Sequence, residues 1–318
     1  MVTAEKYGLK GVVIGATYPS GGMKSCRLAQ YNEIRVRNQV FVPRYKKPDE
    51  RKKDNKALAF YENGCIKSIA LEERTEVMTS LGVFRAELVT FYENGEIDSL
   101  FPLNGQIGFG WSEEDEEKLL EENHFTFPFT RFTEKVIGLR FYPGGKLKSL
   151  ILWPGKRISI ETALGEFPAR IGFRLYENGT LESFEPAVPI EINSRIGTIV
   201  AFDQNALGID ADYNSVNFYP DGSLKSVKTN SDIVVNGIST GERTIIYQQL
   251  KFDNMTGKMM KVPVLITFAD NEAVIDNAVE KKTFFIDDSK FMLLHDQYYT
   301  EKKCSPGSDC SGCGASCL

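Results

Sequence analysis

Phe60-Tyr61-Glu62-Asn63-Gly64-Cys65-Ile66-Lys67-Ser68 returns as Phe91-Tyr92-Glu93-Asn94-Gly95-Glu96-Ile97-Asp98-Ser99, and it decides the fold. Further copies are Phe141-Tyr142-Pro143-Gly144-Gly145-Lys146-Leu147-Lys148-Ser149, Leu175-Tyr176-Glu177-Asn178-Gly179-Thr180-Leu181-Glu182-Ser183 and Phe218-Tyr219-Pro220-Asp221-Gly222-Ser223-Leu224-Lys225-Ser226. An N-terminal copy, Tyr18-Pro19-Ser20-Gly21-Gly22-Met23-Lys24-Ser25, lacks the leading aromatic. An aromatic pair runs into Asn-Gly, Asp-Gly or Gly-Gly, which tolerate the positive φ of a tight hairpin turn. Ahead of the turn, apolar residues alternate, as in Leu58 and Phe60 or Leu139 and Phe141, so one face of each strand points inward. Behind it, Ile66, Ile69 and Leu71 step by three and then by two, which predicts a one-residue bulge at the Lys-Ser step. The recurrent Ser is then a bulge residue. A row of nucleophiles would need a base beside each, and none recurs.

A second turn type lies between these units, at Thr79-Ser80-Leu81-Gly82, Thr162-Ala163-Leu164-Gly165 and Asn193-Ser194-Arg195-Ile196-Gly197. Two alternating turns joined by strands describe an all-β antiparallel meander of repeated hairpins, either a twisted open sheet or a barrel-like array. Residues 1–300 form this β-repeat domain, with a short helical insertion near 102–133, and residues 301–318 form a flexible Cys-rich tail.

On these offsets the region from Thr17 to Val227 resembles the MORN-variant repeat proteins, whose units carry a Tyr-x-Asn-Gly-x-Leu/Ile-Lys hairpin. The copies here lie farther apart, with extra strands interposed. The resemblance implies a twisted antiparallel β array serving as an interaction surface for partner proteins or lipid, and it carries no catalytic residues over.

The chain has 318 residues, enough for one large β domain. Its 42% hydrophobic and 25% charged residues are ordinary for a globular protein, which excludes global disorder. A net charge of −5 argues against a nucleic-acid partner. The basic run Arg44-Tyr45-Lys46-Lys47 with Arg51-Lys52-Lys53 reads as a solvated loop, with an anionic partner the lesser option. No run is long and apolar enough for a transmembrane segment, contact with a membrane surface is a minor option, and Gly11–Ala16 reads as a strand. The expected location is cytoplasmic, where paired Cys bind metal or do redox work more often than they form structural disulfides.

Within the insertion, Ser112 followed by Asp115 predicts a capped helix of about three turns, its acids facing water. The segment from His124 to Phe129 is expected to plug an open end of the sheet with aromatics. Asp210, Asp212 and Asn214 echo a calcium loop, but Ser215 and Asp221 stand where Gly and Glu belong, so an Asx-rich loop is the better reading. Cys26 falls on a core position and Cys65 on an exposed turn. After Val227, hairpins are expected at 252–260 and 283–291.

The chemistry concentrates at the end. Cys304, Cys310, Cys313 and Cys317 lie among Gly, Ser and Pro that cannot build a core. The two-residue gap between Cys310 and Cys313 suits a chelating pair, and Cys304 and Cys317 complete a four-sulfur shell for Zn or an Fe–S cluster. The expectation is a non-enzymatic scaffold with a protein partner and a soft-metal site. The alternative is a thiol-disulfide or sulfur-transfer protein using the same CxxC. A Ser-His-Asp hydrolase is disfavoured, because His124 and His295 are the only histidines.

Overall fold

The structure is a computed structural model that describes all residues except 1, 48, 53–55, 109, 207–213, 255–256 and 296–318. Within it the chain is nearly all β, an antiparallel meander with two short α-helices.

Each repeat unit closes in the same way. The Gly64 amide donates to the Tyr61 carbonyl (2.9 Å), and the Tyr61 amide donates to the Cys65 carbonyl (2.8 Å). The same pair of bonds closes the turns at Tyr18, Tyr92, Tyr142, Tyr176 and Tyr219. The left-handed residue in these turns is the glycine, at φ +78° for Gly64. Asn does a different job from the one its sequence context suggests. Its side-chain oxygen accepts the amide two residues on, from Cys65 to Asn63, Glu96 to Asn94, Thr180 to Asn178 and Ser223 to Asp221, at 2.9–3.0 Å.

The bulge is present in each of the six tyrosine units. Phe60 pairs with Ile66 and Ala59 with Ser68, which leaves Lys67 as the extra residue. Asp98, Lys148, Glu182, Lys225 and Lys24 are extra in the same way. The extra residue returns Ile69, Leu100, Leu150, Phe184, Val227 and Cys26 to the inner face, where each is 0% exposed. Cys26 thus acts as a small core residue, and burial pushes its thiol up to about 11.

The hairpins join edge to edge into an 18-stranded sheet. Val12–Thr17 at one edge pairs only with Met23–Leu28, and Lys281–Phe285 at the other only with Glu272–Asp276, so the sheet is open rather than a closed barrel.

The second set of turns builds a tier over the inner face. Its hairpins include 34–41, the far ends of Ile66–Thr79 and Gly82–Phe91, 123–134, 158–169 and 190–201. Successive hairpins are neighbours: the Gln39 side chain bonds both the carbonyl and the amide of Met78, and Thr130 Oγ1 donates to the Ser159 carbonyl. Each tip reaches forward past the next repeat unit to the one beyond. Phe41 meets Phe91 edge-on at 5.7 Å, and Phe127 and Phe129 each meet Phe173 at 5.1 Å. The segment from His124 to Phe129 is therefore a hairpin of the upper tier that fills the core, not a plug at an open end. The core lies between the tiers, dominated by Phe60, Phe91, Phe141, Phe173, Phe184 and Phe268.

The insertion also departs from expectation. The capping box of Ser112 and Asp115 is in place, but the helix is Glu113–Lys118, shorter than three turns, because the chain turns back at Leu119 to start the hairpin. At the C-terminal end, Gln249–Asp253 and Lys258–Val262 form the expected hairpin. Residues 283–291 do not: Lys281–Phe285 stays in the main sheet while Ser289–His295 crosses to pair with Ser231–Gly237.

Candidate functional site

A ladder of tyrosines locks each repeat unit to the next. Tyr18 donates its hydroxyl to the Phe60 carbonyl, Tyr61 to Phe91, Tyr92 to Phe141, Tyr142 to Leu175, Tyr176 to Phe218 and Tyr219 to Phe268, all within 2.6–2.9 Å. The acceptor is the last strand residue before the next tyrosine, or before Ala269 in the case of Phe268. Where the bulge carries Lys, its ammonium lies 5.4–5.9 Å from the ring, as with Lys24, Lys67, Lys148 and Lys225. Where it carries Asp98, the nearby carboxylate adds to burial in pushing Tyr92 up to about 12.

The ladder ends at a unit that sequence reading overlooks. Val264–Ala269 and Glu272–Asp276 form a seventh hairpin, in which Ala269 replaces the tyrosine and Asp270-Asn271 form a tight turn with Asp270 at φ +43°. The alternation of Val264, Ile266 and Phe268 ahead of Asp270-Asn271 was the available signal.

Beside this last rung lies a groove of about 990 Å³. One wall is the upper tier, with Ala163, Leu164, Ser194 and Arg195, and the other is the sheet turns, with Tyr219, Asp221, Gly222 and Asp270. Upper-tier turns hold their shape by a hydroxyl cap: Thr79, Thr162 and Ser194 each donate to the carbonyl of the glycine three residues on, at 2.7–2.9 Å. That fixes the residue after the hydroxyl, which is Ser80, Ala163 or Arg195, at the tip of the turn. Arg195 stacks on Phe268 at 5.4 Å. Ala269, which replaces the tyrosine of the seventh unit, lines the groove as well.

Two buried polar clusters do structural work. The Arg51 guanidinium donates to both oxygens of Glu87 (2.9 and 2.7 Å) and both of Glu116 (2.8 and 2.7 Å). Glu116 also accepts from Trp111 Nε1 and the Gly105 amide, and Glu87 from the Asn104 amide. This clasp ties the 43–56 loop and the helix to the strand Gly82–Phe91. It corrects two expectations, since Arg44, Arg51 and Glu116 are buried rather than solvated. Three carboxyl–guanidinium partners distant in sequence leave no local signature.

The second cluster centres on Glu185, which is fully buried and accepts from the amides of Ser215 (2.7 Å) and Asp203 (3.3 Å). Arg170 lies 3.8 Å away, and Lys228 pairs with Asp203 at 2.9 Å. Burial outweighs these bonds and raises the Glu185 carboxyl to about 7. It ties the segments at Asp203 and Ser215 together through its two carboxylate oxygens.

The metal ligands expected from sequence, Cys304, Cys310, Cys313 and Cys317, lie outside the described residues, as do Asp210 and Asp212. Asn214 is buried and donates to Ser183 Oγ (3.0 Å). Cys65 is half-buried at its turn, with Lys6 Nζ 3.8 Å from the sulfur. The imidazole of His124 lies between Thr133 and Thr126 in the upper tier. Opposite the bulge serines stand Ala16, Ala59, Thr90, Arg140, Arg174, Asn217 and Thr267, and Ser99 donates to the adjacent Asp98 carboxylate (3.2 Å), a pairing that does not recur as a base beside each serine. Among the described residues, no three His, Cys, Asp or Glu side chains are placed to hold a metal ion, and no helix is long and apolar enough to cross a membrane.

No family model, curated protein or solved structure matches the chain.

Proposed function

We propose that the protein is a non-enzymatic β-repeat scaffold of the cytoplasm. Its groove binds a protein partner, and its C-terminal segment holds a soft metal ion or Fe–S unit on Cys304, Cys310, Cys313 and Cys317. The observation that carries the scaffold reading is the groove of about 990 Å³, built between two tiers of rigid turns at the end of the tyrosine ladder. Its walls are backbone turns with a few polar side chains over Leu164, Leu224 and Phe268, a surface suited to an extended polypeptide. The MORN-variant resemblance supports the same reading, and the clustered thiols of the tail supply the metal half.

Anaerobic purification followed by metal and sulfide analysis tests the tail. Stoichiometric metal that is lost in a Cys310→Ser/Cys313→Ser variant is the expected result, and equal metal in both proteins overturns the assignment. Thiol titration separates the alternative, because a tail Cys titrating well below the free value of about 8.5 would indicate thiol-disulfide or sulfur-transfer chemistry instead.

A further inference from the structure

In the first two upper-tier hairpins the tip residue meets the sheet turn two repeat units on. In the first hairpin it is Arg37, whose guanidinium donates to the Glu96 carboxylate (3.1 Å) and the Asn94 carbonyl (3.4 Å). In the second it is Ser80, whose hydroxyl donates to the Gly145 carbonyl (2.6 Å). Aligning the turns, Ala163 stands where Ser80 stands, and Gly222 stands where Gly145 stands. Ala163 and Gly222 line opposite walls of the groove.

Alanine has no donor. Among the described residues no side chain donates to the Gly222 carbonyl, so the contact that closes the equivalent gap two units earlier is missing. Asp221 occupies the place of Asn94, and its carboxylate is tied only within its own turn, to the Ser223 amide and hydroxyl. Asp270 adds a second carboxylate, against the single cation Arg195, which is stacked on Phe268. The charged lining residues, Asp221 and Asp270 against Arg195, are thus net negative, beside apolar Leu164 and Leu224 and with the acceptors of Asp221 and Gly222 on neighbouring residues.

We propose that the groove takes an arginine side chain from an extended segment of a partner protein, an assignment that rests on the groove being a binding surface. The aliphatic stem lies on Leu164 and Leu224, and the guanidinium donates to the Gly222 carbonyl and the Asp221 carboxylate. Arg37 is an internal precedent for the pairing by type, because its guanidinium takes a backbone carbonyl and a carboxylate of a sheet turn together, at Asn94 and Glu96, which align with Asp221 and Ser223. A planar fork reaches carbonyl and carboxylate together, which a lysine ammonium does less well.

The test is amide chemical-shift titration of the full chain with two capped tripeptides, acetyl-Gly-Arg-Gly-amide and acetyl-Gly-Gln-Gly-amide. Shifts confined to residues 163–164, 193–195, 219–224 and 268–270 are expected, with the arginine peptide binding about tenfold tighter. Ala163→Ser supplies the hydroxyl that Ser80 uses and weakens the arginine peptide several-fold. Asp221→Asn keeps the turn, since Asn63, Asn94 and Asn178 hold the same place elsewhere, and weakens it by removing the charge. Unchanged affinity in both variants overturns the proposal. Equal binding of the glutamine peptide overturns the arginine assignment but leaves the groove a binding surface, and no shifts with either peptide overturns both.

Discussion

Replacing Tyr142 with Phe removes one rung of the ladder and little else. The ring stays against Lys148, and the hydroxyl's bond to the Leu175 carbonyl (2.9 Å) disappears together with its hydrogen bond to Arg174. A neutral hydrogen bond contributes about 1 kcal/mol net, and leaving a secluded acceptor without its donor raises the cost toward about 2 kcal/mol. Leu175 is buried, so the expected loss is about 1–2 kcal/mol, or a few degrees in Tm for a chain of this size. Each rung ties one repeat unit to its neighbour, so the loss is also local, and amide exchange should quicken around the 176–180 turn before it quickens elsewhere. Tyr31→Phe is the control, because that exposed ring donates only to the exposed Glu33. Rungs that share a strand, such as Tyr92 and Tyr142, should couple, whereas Tyr61 and Tyr176 should add. Denaturant unfolding with hydrogen exchange measures both. A Tyr142→Phe protein no less stable than Tyr31→Phe, with unchanged exchange at 176–180, would refute the idea that the hydroxyls clamp the repeats.

Gly172→Ala should cost more than about 3 kcal/mol or prevent folding, because its φ is +128° and a Cβ there would sit 1.9 Å from the Leu150 carbonyl oxygen; thermal unfolding and expression yield report it. At the neighbouring residue, Ile171→Gly relieves about 1–2 kcal/mol of left-handed strain at φ +70° but removes a half-buried side chain, so the same assay should show a net change within about 1 kcal/mol. Arg51→Ala leaves Glu87 and Glu116 buried without their cation and should destabilise by about 3–5 kcal/mol, with exchange quickest in Glu113–Lys118; Arg51→Lys should rescue only in part. Glu185 binds its proton more tightly folded than unfolded, so stability falls as pH rises from about 4.5 to about 7 and is then flat. The loss over that window is of the order of 3 kcal/mol, and a Glu185→Gln protein whose stability shows the same slope would remove Glu185 as its source.

Much of the fold was legible because it is local. An Asn-Gly or Gly-Gly turn, the alternation ahead of it and the three-then-two step behind it fix a hairpin, its inner face and its bulge within nine residues, as at Phe60–Ser68. The same locality gave the Ser112–Asp115 box and the core position of Cys26. The seventh unit escaped because it swaps the tyrosine and bulge for a two-residue turn, and the Glu113–Lys118 helix came out short because the hairpin that follows competes for its chain.

What tertiary structure alone decided is which turn meets which. The reach of each upper-tier tip over one repeat unit to the next depends on strand spacing and twist accumulated across the sheet, which no short window encodes. Hence Arg51 and Glu116 read as surface charges yet form a buried clasp with Glu87, and Ala163 reads as an ordinary turn residue yet lines a groove. The sequence by itself determined the unit and its inward face, through backbone sterics and side-chain period. The stacking of units determined the groove, because a gap exists only relative to the neighbour that fails to fill it.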